Sequence, residues 1–160
     1  RNKMLQLATD ISEGAIWANA SLSHMAQQLS EIPNAVRDDF FLANMIPTVI
    51  DDDVEAARAV NRRTLTGYVS LPNYRNYWRA AGYVEEMDAI EAAIEAGNKD
   101  ILPSLMSDKW LDDNTISGSA SHVRARFEEW AHAGVTPIAV MSSTTGGQVK
   151  AINQLFDVYN

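Results

Sequence analysis

Arg1, Asn2 and Lys3 stand at the start of a helical pattern, and their placement is the first chemistry the chain offers. The free N–H groups and dipole of a helix N-terminus favour an anion and disfavour unpartnered cations. Two cations there make sense beside a phosphate, or else belong to a plain solvated helix end. Trp17 and Asn19 come next, on one face of the apolar segment Ala15–Ala20, with Ile16, Ala18 and Ala20 on the other. The run Ser142-Ser143-Thr144-Thr145-Gly146-Gly147 precedes the last helical pattern, where it could form an anion nest. It lacks the spacing and lysine of a phosphate-binding loop and reads more readily as a turn with an N-cap.

Other chemistry is excluded or weak. Zero cysteines remove disulfides, thiolate nucleophiles, iron–sulfur clusters and cysteine zinc sites. His24, His122 and His132 match no zinc spacing, although His24 could border a site; no G-x-S-x-G elbow motivates a serine triad. Asp51, Asp52 and Asp53 read as helix caps rather than cation ligands, because a hard cation wants more convergent oxygens than one local run supplies. No metal site is expected. Tyr74, Tyr77, Trp78 and Tyr83 cluster in one segment, either as core or as the entrance for an apolar or aromatic substrate.

The elements that must position these groups follow from spacing. Met4, Leu7, Ala8 and Ile11 predict a one-sided helix over about 2–12, ended by Gly14. Ala15–Ala20 suits a buried strand, and Ser21 caps a helix carrying Leu22, Met25, Ala26 and Leu29. Phe40–Ile50 reads as a strand despite Pro47, which removes one ladder donor. A helix follows with Val54, Ala57, Val60 and Leu65 on one face. Short helices fill about 68–106. Ser119 or Ser121 then caps a helix with Val123, Phe127 and Trp130, Val135–Met141 is a third strand, and a last helix carries Val149, Ile152, Phe156 and Tyr159.

Single strands alternating with helices call for a parallel sheet covered on both faces. Three strands make a poor sheet for so many helices, and their outer edges would be unpaired, so the chain reads as part of a larger sheet. An open doubly wound sheet would carry a glycine-rich turn after its first strand, and none exists. A slice of an eight-stranded barrel fits better. There, side chains alternate between lumen and helices and active sites gather at strand C-termini, which points Trp17 and Asn19 inward and brings Ser142 to the same rim.

The 160 residues carry 13 Lys plus Arg against 21 Asp plus Glu, a net charge of −8. That balance argues against binding nucleic acid or an anionic membrane, both of which rest on basic residues. With 46% hydrophobic residues the chain can fill a core as a single domain over 1–160. No apolar run approaches a membrane span and no leader is apparent, so a cytoplasmic protein is expected. The start at Arg1 inside a helical pattern suggests further residues upstream.

The string KMLQLATDISEGAIWANAS resembles the helix–acid–glycine–strand passage of the bacterial-luciferase-like oxidoreductases, which use flavin mononucleotide or the deazaflavin coenzyme F420. MIPTVIDDDVEAARAVNRRTL, NYRNYWRAAGY and SGSASHVRARFEEWAHAGVTPIAVMSS match further passages in order. The resemblance implies the C-terminal part, about three βα units, of a TIM (β/α)8 barrel with a helical insertion between the second and third strands. It also implies that the groups contacting the cofactor ring lie mostly upstream, leaving the catalytic residues unassigned. Arg1 and Asn2 become the candidates for the cofactor phosphate, and Trp17, Asn19 and Ser142 for the substrate pocket. The implied activity is hydride transfer between coenzyme F420 and a small organic substrate, this piece being inactive alone. Alternatives are an FMN-dependent monooxygenase of the same superfamily or a non-catalytic helical protein-interaction module. A homo-oligomer is compatible with either enzyme.

Overall fold

A computed structural model describes residues 2–33 and 39–159. The elements in chain order are α1 (Asn2–Ile11), β1 (Gly14–Ala18), a 3-10 turn (Leu22–His24) leading into α2 (Met25–Ser30), and β2 (Phe41–Ile50). Then come α3 (Val54–Val69), α4 (Pro72–Ala80), α5 (Val84–Glu95), a 3-10 segment (Lys99–Leu105), α6 (Asp108–Asn114) and β3 (Ile116–Gly118). The chain closes with α7 (Ala120–His132), β4 (Thr136–Val140) and α8 (Gln148–Asp157).

β2 is the shared partner of every other strand, and all pairings are parallel. Gly14–Ala18 pairs with Phe41–Met45, Thr136–Val140 with Ala43–Pro47, and Ile116–Gly118 with Thr48–Ile50. Pro47 is tolerated inside a central strand although it donates no ladder hydrogen bond. Gly14 is required where β1 meets β2: a Cβ there would lie 2.5 Å from the Phe41 carbonyl oxygen. The fourth strand, β3, was not expected. Its three residues, Ile-Ser-Gly, carry no run of strand formers, and the buried C-terminal end of β2 gives them a partner.

Alternation sorts the sheet into two unlike faces. Ala15, Trp17, Leu42 and Ile46 pack into the core formed with Leu5 of α1, Leu29 of α2 and Phe127 and Trp130 of α7. The partnered residues in between point the other way: Ile16, Phe41 and Met45 are 56%, 50% and 42% exposed. The expected cover on both faces is met further along β2, where Pro47 and Val49 are buried and Val49 packs with Ala57 and Val60 of α3, and it is missing on one face at Ile16, Phe41 and Met45.

The terminal helices repeat this asymmetry. α1 buries Leu5, but Met4, Leu7 and Ile11 of its predicted apolar face are exposed. α8 buries Ala151, and Val158 just beyond it is buried too, whereas Val149, Ile152 and Phe156 are exposed and Tyr159, also exposed, meets the Arg124 guanidinium 5.6 Å from its ring centroid.

Between β2 and β3 the described chain is helical throughout, from Val54 to Asn114, longer at both ends than the expected 68–106. Asp53 starts it by accepting from Glu55 N and Ala56 N at 3.1 Å, the capping role expected of the acidic run. Ala57, Val60, Leu65 and Val69 line the buried face of α3, while Val54 is exposed. The aromatic segment forms core: Tyr77, Trp78 and Tyr83 are buried, and Trp78 meets Trp110 edge to face at 4.9 Å between centroids. Arg75 and Arg79 close α4 onto α5 through Glu91, holding its carboxyl below the usual carboxylate range.

Candidate functional site at the carboxyl ends of the strands

Because all strands run parallel, Ala18, Ile50, Gly118 and Val140 end on one side of the sheet, where α/β folds build their sites. The sharpest local feature there is the turn at Asn19. This residue adopts φ 57, the left-handed region that asparagine tolerates better than other non-glycine residues. The turn is held from several directions. Asn19 N donates to Met45 O at 3.0 Å and Ala20 N to Asn44 Oδ1 at 3.2 Å, both on β2. Ser21 N donates to Tyr77 Oη at 3.0 Å, and the Trp78 indole N–H reaches both Asn19 O at 3.3 Å and Asn114 Oδ1 at 2.8 Å. Ser21 Oγ completes the set by donating to Asn114 Oδ1 at 2.6 Å.

The helical insertion, through Tyr77, Trp78 and Asn114, therefore sets the conformation at the end of β1. Ser21 does not cap the following helix as expected, because its hydroxyl is committed to Asn114. Asn19 and Asn44 are both buried, and each leaves its Nδ2 without an acceptor. Such orphans are costly in a packed interior and mark a place where polarity serves something besides the core.

A cavity of about 550 Å³ runs along the free edge of β1, between Leu5 and Ala8 of α1 and Tyr74 and Tyr77 of α4, with Trp17 and Gln28 in its wall. Here the expected geometry needs correction. Trp17 shares the helix-packed face with Ala15 and Leu42, so it lines this edge cavity and does not point into the lumen with Asn19. The register decides it: Trp17 is paired with buried Asn44, whereas the lumen-side pairs are Ile16 with Ala43 and Ala18 with Met45. Asn19 sits at the rim but leaves the strand alternation through its left-handed turn.

Ser142 follows β4 in an exposed loop at the same end of the sheet as Asn19. That loop is tied to β2 by Thr145 Oγ1, which donates to Asp51 Oδ2. This bond, with one from Asp53 N, holds the Asp51 carboxyl below its ordinary range. Arg1 lies outside the described residues. Asn2 is the first described residue of α1. His24 is buried against the Tyr77 ring, 5.6 Å between centroids, and lines a second cavity; His122 and His132 are exposed. Among the described residues no group of three or more histidines and carboxylates could hold a metal ion, and no helix is long and apolar enough to cross a membrane.

Asn44, Ser21 and Asn114 were not expected in the site. A lone polar residue inside the apolar stretch FFLANMIPTVI is a usable signal for Asn44; nothing in the local sequence marks Asn114.

Comparison with known proteins adds two findings. The family model described as luciferase-like monooxygenase matches residues 1–137. Among solved structures, the coenzyme F420 dependent tetrahydromethanopterin reductase from Methanopyrus kandleri superposes with a TM-score of 0.75 at 20% identity, over 97% of this chain. The chain spans 46% of that structure, slightly less than half its length. No curated protein sequence matches.

Proposed function

Because the chain belongs to the luciferase-like monooxygenase family, we propose that it forms the C-terminal part of a TIM-barrel oxidoreductase working with coenzyme F420 on a small organic substrate. The observation that carries this reading is the parallel sheet, whose strands all end on the side of the Asn19 turn, in a fold superposing on an F420-dependent reductase. The residues present suit such a cofactor in part. Asn19 Nδ2 is a buried donor lacking an acceptor at the rim, and a deazaflavin ring bears carbonyl oxygens that accept. Arg1, Asn2 and the amide groups opening α1 would hold the phosphate, and Asn19 and Ser142 would line the substrate side.

When bound, the deazaflavin supplies the hydride chemistry, or FMN the activation of dioxygen. The residues of this chain orient and shield. The clamp from Tyr77, Trp78 and Asn114 holds the backbone of the Asn19 turn, and Thr145 on Asp51 ties the Ser142 loop to the end of β2. The FMN-monooxygenase reading is favoured by the description of the family itself. Titrating the complete polypeptide with F420 and separately with FMN, following cofactor fluorescence, tests the choice. F420 is expected to bind at least about tenfold more tightly, a difference of about 1.4 kcal/mol. Tighter FMN binding would shift the reading to the monooxygenase, and binding of neither would refute it.

A further inference from the structure

We propose that the cleft between α2 and α4 is a binding site for a neutral polyhydroxylated ligand, a saccharide or polyol moiety. The cleft adjoins the β1 edge cavity, with which it shares Gln28, Asn73 and Tyr77, has a volume of about 520 Å³, and carries carboxamides at four of its eight lining residues. Gln27 and Gln28 enter from α2, and Asn73 and Asn76 from α4, so two pairs of carboxamides face each other. A volume of that size suits a ligand between a monosaccharide and a disaccharide.

Charge decides against the alternatives. No lysine or arginine lines the cleft, and Glu31 stands at its exposed rim, which disfavours an anion in a protein of net charge −8. A cation would find only that single solvated carboxylate, an attraction of little value. Carboxamides, in contrast, donate and accept at once, as hydroxyls do. In Gln28 and Asn76 one function of the carboxamide is engaged within the protein and the other, among the described residues, is not. Gln28 Nε2 donates to His24 Nε2 at 3.2 Å, which directs the Gln28 carbonyl elsewhere. Asn76 Oδ1 accepts from Arg79 at 3.3 Å, which leaves the Asn76 amino group as donor.

Gln28 and His24 are more than nine-tenths buried, so their geometry is fixed by packing before any ligand arrives. Tyr77 of α4 is buried with its ring against His24, and its hydroxyl oxygen accepts from the Ser21 backbone N–H beside the Asn19 turn. Occupancy of this cleft would thus be felt at the rim of the barrel. The proposal stands on the cleft alone and does not require F420 chemistry.

The test is calorimetric titration of the complete polypeptide with maltose, glucose and ribitol, and with spermidine and citrate as cationic and anionic probes. At least one neutral probe is expected to bind with a dissociation constant of about 5 mM or tighter. Gln28→Leu and Asn76→Leu should each weaken it about tenfold, the loss of one hydrogen bond. The exposed Gln6→Leu should leave it unchanged. Gln28→Leu is read only if its thermal midpoint stays within about 5 °C of the parent; Asn76, on the exposed side of α4, provides the test free of folding effects. Absence of binding by all three neutral probes, preference for spermidine or citrate, or indifference to Asn76→Leu would overturn the proposal.

Discussion

Replacing Asn114 with leucine should release the turn at the end of β1, and the structure sets the size of the effect. Asn114 is fully buried; its Oδ1 accepts from Ser21 Oγ and Trp78 Nε1, and its Nδ2 donates to Trp110 O at 2.6 Å. Leucine is close in volume, so the change strands donors without opening a cavity. A buried donor left unpaired costs about 1–3 kcal/mol. Ser21 loses its partner outright, whereas Trp78 keeps its longer bond to Asn19 O, giving about 3–4 kcal/mol in total. For a chain of this length that corresponds to a fall of roughly 10 °C in thermal midpoint, or an equivalent shift in urea unfolding. Trp78→Phe supplies the second arm of a double-mutant cycle. Its cavity cost is the same in both backgrounds, but once Asn114 is gone its hydrogen-bond cost should shrink to that of the longer bond to Asn19 O, leaving a coupling of about 1–2 kcal/mol. Amide exchange at Ala20 and Ser21 should rise in parallel. A loss below about 1 kcal/mol, or additivity of the two substitutions, would refute the claim that the insertion holds the turn.

Gly14→Ala should destabilise the β1–β2 pairing by about 1–3 kcal/mol, visible as a lowered thermal midpoint, because the new methyl would overlap the Phe41 carbonyl at 2.5 Å. The carboxyl of Asp51 titrates below its ordinary value of 3.8 when folded, first because of Thr145. Its contribution to stability is present above the unfolded pKa and disappears as pH falls through the depressed one. Thr145→Val should therefore raise the Asp51 pKa toward 3.8, measured by carboxyl NMR, and flatten the loss of stability below about pH 4. The open sheet face should bind a hydrophobic dye and drive concentration-dependent association of the 160-residue chain; Ile16→Lys with Met45→Lys should suppress both in sedimentation without lowering the thermal midpoint.

The order of elements was legible because each long strand is bounded by its own punctuation: Gly14 before β1, the acidic cap after β2, and Gly134 before β4. Helices α3 to α5 also follow their spacing, since each has a core on one side and water on the other. The pattern fails where that assumption fails. Along α1 and α8 most of the expected apolar stripe is exposed: Ala8 packs against the core as expected, but Met4, Leu7, Ile11, Val149, Ile152 and Phe156 do not, and Leu5, Ala151 and Val158, which are buried, fall outside it. β3 was hidden for a different reason, since Ile116–Gly118 is a strand only through pairing with β2. Rim position was readable for Asn19, but the orientation of Trp17 was not, because a strand with apolar residues on both faces does not say which face meets the helices.

That ambiguity is itself informative about the fold. A strand such as Gly14–Ala18, with Ala15 and Trp17 on one face and Ile16 and Ala18 on the other, wants two apolar neighbours. The helices supply one, through α1, α2 and α7, and leave Ile16, Phe41 and Met45 as a continuous lumen-side patch. In a sheet designed to stand alone that face would carry polar residues, as half-solvated sheets do. Its apolar character at paired positions of β1 and β2 ties the chemistry to the architecture. β1, β2 and β4 run parallel and end on one side of the sheet, and at the end of β1 the insertion holds an asparagine in the left-handed region with an unused donor. The packing of the helical side thus specifies where the polar groups of the other side must act.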